Sequence, residues 1–125
     1  MIESKYNDGY EGEGEVLLYY DNGQKEGMLM WEGYFEYLLS ACYSQDFEAG
    51  GLMESYYNHD GFYDTSPWKI NNLQMVLNEL SNFKKEKIDT NSPDIINTVA
   101  RLKDELISFL QIPLLEEKEV YIEYN

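Results

Sequence analysis

The most apolar stretch of the chain is residues 28–47, where twelve of the first sixteen positions are apolar or aromatic. Its polar residues Glu32, Glu36 and Ser40 recur every four positions, which places them on one narrow stripe of a helix. A helix that is apolar around most of its circumference is buried by neighbours on several sides. We therefore expect residues 28–47 to form the central helix of the fold. The stretch is too short and too charged to cross a membrane.

Two more helices are predicted in the C-terminal half. Ser66-Pro67 and Ser92-Pro93 each combine a serine N-cap with a proline at the first helical position. Apolar residues then recur every three or four positions in residues 67–87, and again after Pro93. The connection between these two helices is short, so we expect them to pack as an antiparallel hairpin that closes over the central helix.

Two short segments have the character of strands. Residues 16–21 form an apolar run that ends at the turn dipeptide Asn22-Gly23, and residues 119–125 alternate between apolar and polar positions. A lone strand cannot satisfy its backbone groups, so we expect these two segments to pair. Otherwise the tail packs against a helix or leaves an edge open to another protein chain. The predicted fold is mainly α: a single domain over residues 1–125, built as a small helical bundle with one or two short strands.

Charge is the outstanding feature of the composition, because 24 acidic residues and nine basic ones give a formal net charge of −15. Residues 1–68 contain fourteen of the acidic residues, ten of the twelve tyrosines, and only Lys5 and Lys25 as bases. Such a field repels nucleic acid and anionic membranes and attracts basic partners. Tyrosine is common in protein interfaces. We therefore expect a protein partner, with residues 1–14 as a flexible acidic arm.

The sequence lacks recognisable motifs for catalysis or for cofactor binding. Phosphate-binding glycine loops, paired Cys or His ligands and a nucleophile elbow are absent, and the glycines and glutamates of residues 1–14 do not match a calcium loop. Cys42 is the only cysteine and lies in the most apolar segment, so we expect a buried side chain. We expect no enzyme activity, cofactor or metal. The first residues do not resemble a signal peptide, which predicts a cytoplasmic protein.

In its size, acidity, final helix pair and extended tail, the chain resembles the immunity proteins that bacteria pair with secreted nuclease toxins in contact-dependent growth inhibition and related polymorphic-toxin systems. This resemblance implies a cognate, usually basic nuclease domain that an acidic surface covers. Ion pairs with that partner are assigned to Glu54, Asp60 and Asp64. Aromatic anchors at the centre of the interface are assigned to Tyr56, Tyr57, Phe62 and Tyr63. Steering of the encounter from the rim is assigned to Glu11, Glu13 and Glu15.

Two other functions stay open. The first is a nucleic-acid mimic or adaptor that inhibits basic proteins broadly, with binding that weakens steeply as salt is added. The second is a small hydrolase that uses Glu54, His59 or Asp60, whose turnover a His59→Ala substitution would abolish. The identity of a toxin and the oligomeric state are left open by the sequence.

Overall fold

The computed structural model describes residues 1–43, 51, 52, 54 and 67–125. Within these residues the fold is α/β, with one five-stranded mixed sheet and three α-helices. The strands are β1 (Ile2–Tyr6), β2 (Glu15–Asp21), β3 (Lys25–Trp31), β4 (Trp68–Lys69) and β5 (Tyr121–Tyr124). The helices are α1 (Glu32–Cys42), α2 (Leu73–Ser81) and α3 (Pro93–Leu115), with a short 3₁₀ turn at Lys85–Lys87. The strand order is β1-β3-β2-β5-β4, where β1 is parallel to β3 and the other neighbours are antiparallel.

The prediction of a mainly α helical bundle is therefore wrong, and the error begins at residues 28–31. These residues form the second half of β3, and the helix starts only at Glu32. The turn at Gly23, with φ of 90°, folds β3 back onto β2, so that Leu18 pairs with Met28 and both are buried. A short apolar run suits a buried strand as well as a helix. Residues 44–47, the predicted end of the helix, lie outside the described part of the chain.

The prediction for the N-terminal segment is also corrected, because residues 2–6 form a strand rather than part of a flexible arm. Strand β1 lies at the edge of the sheet, parallel to β3, with Ile2 opposite Gly27 and Tyr6 opposite Met30. Tyr6 is buried, whereas the preceding residues of β1 are exposed. One apolar anchor in a polar segment gives no alternating pattern, so the sequence did not predict this strand.

The second helix is shorter than the predicted 67–87. Trp68–Lys69 pairs with β5 as the short strand β4, and α2 starts at Leu73, where the side chain of Asn72 accepts a hydrogen bond from Met75 N at 3.1 Å. The helix ends at Ser81. Helices α2 and α3 contact each other, as the predicted hairpin requires.

Three predictions about local structure are confirmed. Residues 16–21 lie in a strand, and this strand pairs with the C-terminal tail, with Leu18 opposite Ile122. Helix α3 begins at Pro93, and the Ser92 hydroxyl accepts a hydrogen bond from Ile95 N at 3.4 Å.

One face of the sheet shares a core with the three helices. Alternate residues of β2 and β3, including Val16, Leu18 and Met30, enter this core. The helices contribute Phe35 and Leu38 from α1, Val76 and Leu80 from α2, and Leu102 and Leu106 from α3. None of the helices in the described residues is long and apolar enough to span a membrane.

Candidate binding surface

Three aromatic side chains pack together where the loop between β1 and β2 meets the start of α1. The rings of Tyr10 and Trp31 are stacked, with centroids 3.9 Å apart and an interplanar angle of 5°. Tyr34 packs edge-on against both, at 5.5 Å from Tyr10 and 5.1 Å from Trp31. All three residues are half-buried, so the group lies at the surface of the protein. We call Tyr10, Trp31 and Tyr34 the aromatic cluster.

Backbone contacts hold this cluster together. Glu15, at the start of β2, lies opposite Trp31 in the sheet. The Glu32 N–H donates to the Gly14 carbonyl at 3.0 Å, which ties the end of the loop to the first turn of α1. Gly33 leaves room for the indole, because a Cβ at this position would overlap the ring of Trp31. The cluster is therefore positioned by the sheet and the helix together, which suits a rigid contact surface.

The Tyr34 hydroxyl stays protonated over the physiological range. Burial, followed by a hydrogen bond and repulsion with Tyr10, raises the pKa of Tyr34 from 10.0 to about 12, and the nearby charge of Arg101 only partly opposes this. A neutral phenol carries a hydrogen-bond donor without adding charge. Tyr34 thus offers an apolar ring with a polar tip, the combination that is enriched in protein interfaces.

Exposed carboxylates flank the aromatic cluster. Glu11 follows Tyr10 directly in the loop and Glu13 comes two residues later; both are exposed, and the Glu13 N–H donates to the Tyr10 carbonyl at 3.1 Å. Within the described residues, neither side chain forms an ion pair. The two carboxylates therefore place negative charge beside the aromatic rings.

Glu15 has a different environment from these two residues. Its carboxylate accepts a hydrogen bond from Asn7 Nδ2 at 2.9 Å, and its side chain is half-buried. This contact joins the start of β2 to the loop that carries Tyr10. Glu15 therefore helps to hold the loop in place, whereas Glu11 and Glu13 face solvent.

The remaining predicted site residues are only partly described. Glu54 is half-buried and helical, and it has an interaction partner. The other assigned residues lie outside the described part of the chain; they are Tyr56, Tyr57, Asp60, Phe62, Tyr63 and Asp64. His59, the candidate of the hydrolase alternative, lies there too. Their roles stay predictions.

Several basic side chains are engaged in ion pairs. The ammonium groups of Lys5, Lys69 and Lys103 lie within 2.6, 3.1 and 2.6 Å of Glu105, Glu119 and Asp104 respectively. The pairs of Lys5 and Lys69 are exposed, and the pair of half-buried Lys103 has an exposed partner in Asp104, so each contributes little to stability. They also make the lysines less available to outside anions. The surplus of carboxylates over bases remains as the electrostatic signature of the molecule.

Sequence reasoning missed the aromatic cluster because Trp31 and Tyr34 were assigned to a buried central helix. The signal that could have found it is Gly33 between them, since a glycine early in an apolar helix often allows a close approach.

Among the residues that the structure describes, no group of three His, Cys, Asp or Glu side chains could hold a metal ion. No protein-family model, curated protein or solved structure matches the chain.

Proposed function

We propose that this protein is an immunity-type inhibitor that neutralises a basic protein domain, in the first instance a nuclease toxin, by binding it. The observation that carries the proposal is the aromatic cluster beside the exposed carboxylates of Glu11 and Glu13, in a chain of net charge −15. This pairing supplies the two components of a tight interface, which are apolar area that excludes water and charge of the correct sign.

The mechanism follows from the chemistry of a nuclease. Such a domain binds phosphate groups through Lys and Arg side chains, and carboxylates compete for the same groups. The rings of Tyr10, Trp31 and Tyr34 would cover apolar surface next to that groove, while Glu11 and Glu13 would accelerate the encounter. Inhibition then needs only occlusion of the groove, without catalysis or a cofactor. An inhibitor of this kind would act in the cytoplasm of the bacterium that makes the toxin.

A growth experiment tests the proposal. The protein is co-expressed with the product of the adjacent upstream gene, and growth is compared with expression of the upstream product alone. We expect rescue, together with a complex that survives gel filtration at about 0.5 M salt, since aromatic contacts are not screened. Toxicity without rescue, or the lack of any complex, would contradict the proposal. A complex that dissociates at this salt concentration would favour the broad nucleic-acid mimic instead.

A pair of tyrosine variants tests the location of the interface. Tyr10→Ala removes the stacking partner of Trp31 and should weaken the complex by about 2 kcal/mol, roughly thirtyfold. Tyr43→Ala is the control, because Tyr43 is another tyrosine at the surface, 38% exposed, but follows the other end of α1. Calorimetric titration of the two variants with the partner domain provides the comparison. Equal affinities would exclude the aromatic cluster from the interface.

A further inference from the structure

An apolar groove separates the edge of the sheet from the C-terminal half of α3. Its volume is about 480 Å³, and its apolar lining includes Tyr20, Met28, Phe109 and Ile112. The ring centroids of the lining residues Tyr20 and Phe109 lie 5.6 Å apart, so the sheet and α3 are in contact there. The backbone of Gly27 also lines the groove on the β3 side. The groove thus has apolar walls supplied by two different layers of the fold.

Carboxylates stand on both sides of this groove. Glu3 and Glu26 line it from the sheet, and Asp104 and Glu105 line it from α3. The described lining residues include no lysine or arginine side chain, but the N-terminal ammonium of Met1 lies among them and pairs with Glu26 at 2.8 Å. Glu105 is fixed in position by Lys5 at 2.6 Å and by a hydrogen bond from the Tyr6 hydroxyl. The carboxylate of Glu3, in contrast, accepts a hydrogen bond from the backbone N–H of Lys5 at 3.2 Å and forms no ion pair with a described residue.

Exposed apolar surface is concentrated at the same place. Ile112 and Met1 line the groove with 45% and 76% of their surface exposed. Contiguous apolar surface of this kind usually marks a site of interaction. A second copy of this chain is a poor occupant, because two molecules of charge −15 repel each other.

We propose that this groove binds a short segment of a basic partner protein, in which one or two large apolar side chains are flanked by Lys or Arg. The distance along α3 from Asp104 to Ile112 is about 12 Å, so the groove holds a few residues rather than a long helix. The apolar side chains fill the space between Tyr20 and Ile112, and a flanking cation meets Glu3, which forms no ion pair with a described residue. This surface is separate from the aromatic cluster, and the proposal holds whether or not the partner is a toxin.

The test uses a fluorescent synthetic peptide of about twelve residues with two phenylalanines flanked by lysines. A second peptide of the same charge has serine in place of phenylalanine. Binding to the full chain is followed by fluorescence anisotropy. We expect the phenylalanine peptide to bind at least about tenfold more tightly than the serine peptide, since only the first can fill the apolar space.

Matched variants locate the binding site. Ile112→Gln should weaken binding of the phenylalanine peptide about five- to tenfold, whereas Leu115→Gln should leave it unchanged. Leu115 lies on the same helix and is 82% exposed, but it does not line the groove. Both positions are solvent-exposed, so the fold should be retained, and circular dichroism verifies this. Equal losses in the two variants would overturn the proposal.

A second pair of variants distinguishes a carboxylate at the groove from the net charge of the whole protein. Glu3→Gln and Glu86→Gln each remove one negative charge, but Glu86 lies in the 3₁₀ turn and does not line the groove. We expect Glu3→Gln to weaken peptide binding and to reduce its salt dependence more than Glu86→Gln. Equal binding of the phenylalanine and serine peptides, equal effects of the two glutamate variants, or no binding at all would overturn the groove assignment. None of these outcomes would affect the growth experiment, which tests the proposed function independently.

Discussion

The thiol of Cys42 and the backbone of Gly33 show how single positions depend on their neighbours. Cys42 is 3% exposed and lies in the core. Burial, followed by the charge of Glu79, raises the pKa of the thiol from 9.0 to about 12. The folded protein therefore keeps the neutral thiol, which is neither a nucleophile nor a metal ligand. The expectation of a buried cysteine is confirmed.

This pKa shift predicts a loss of stability in alkali. Because the folded-state pKa lies above the unfolded one, the stabilising effect is complete below pH 9.0 and is lost as the pH rises toward about 12. We expect the free energy of unfolding, measured with urea, to fall over this range. The raised pKa of Tyr34 has the same effect: its contribution to stability is complete below pH 10.0 and is lost as the pH rises toward about 12. In Cys42→Ala the decline should be shallower, although the variant is less stable by about 1 kcal/mol at neutral pH. Parallel declines in the two proteins would contradict the assignment to Cys42.

A Gly33→Ala substitution has two effects on stability that are similar in size and opposite in sign. Alanine favours the helix by roughly 0.5–1 kcal/mol relative to glycine, but its methyl group would displace the indole of Trp31 and end the stacking with Tyr10, which costs about the same amount. We expect little change in the free energy of unfolding and a clear change in the near-ultraviolet circular dichroism. Ser40→Ala, an exposed position on the same helix, is the control and should leave the aromatic signal intact. A stabilised variant with an unchanged aromatic signal would show that the indole is not held against Gly33.

At the scale of elements, the short strand β4 decides where α2 begins. Trp68 pairs with Ile122, which draws the chain after Pro67 into the sheet. The helix can then start only after the chain has left the sheet, and the side chain of Asn72 takes over as the N-cap. A serine-proline pair thus favours a helix start locally, but a strand partner elsewhere in the chain overrides it.

The cap of α2 gives a prediction with a close control. Asn72→Ala should lower the free energy of unfolding by about 1 kcal/mol, since the hydrogen bond from Met75 N is lost. Asn71→Ala removes the same side chain one residue earlier, at an exposed position, and should cost less than about 0.5 kcal/mol. Urea denaturation of both variants measures the difference. Equal effects would show that the helix does not depend on this cap.

At the scale of the whole molecule, negative charge dominates over specific ion pairs. The net charge is −15, and the ion pairs of Lys5, Lys69 and Lys103 lie at the surface. Exposed pairs contribute at most about 1 kcal/mol each, while repulsion among the surplus carboxylates acts over the entire surface. The balance between these two terms determines how the protein responds to salt.

We expect added salt to stabilise the protein. Raising sodium chloride from about 0.02 to about 0.5 M shortens the screening length from roughly 20 to 4 Å and should increase the free energy of unfolding, measured with urea, by about 1 kcal/mol. The double variant with Glu11→Gln and Glu13→Gln should be more stable at low salt and should gain less from screening. A decrease in stability with salt would mean that the ion pairs outweigh the repulsion.

The sequence by itself determined the elements whose pattern is complete within a few residues. Three features of this kind are present in the structure: the strand within residues 119–125, the turn at Asn22-Gly23 and the start of α3 at Ser92-Pro93. Each is determined by residues that are neighbours in the sequence. The excess of negative charge, from which we expect a positively charged partner, also follows from the sequence alone.

Only the tertiary structure decided the rest. Residues 28–31 are apolar without a distinguishing period, so the hydrogen bonds offered by β2 made them a strand. The polar residues of β1 became a strand because the edge of β3 was available to them. Tyr10 and Trp31 are far apart in sequence and meet only because the loop folds onto the start of α1. The candidate surface and the groove both depend on such long-range contacts, which local patterns do not encode because their partners lie elsewhere in the chain.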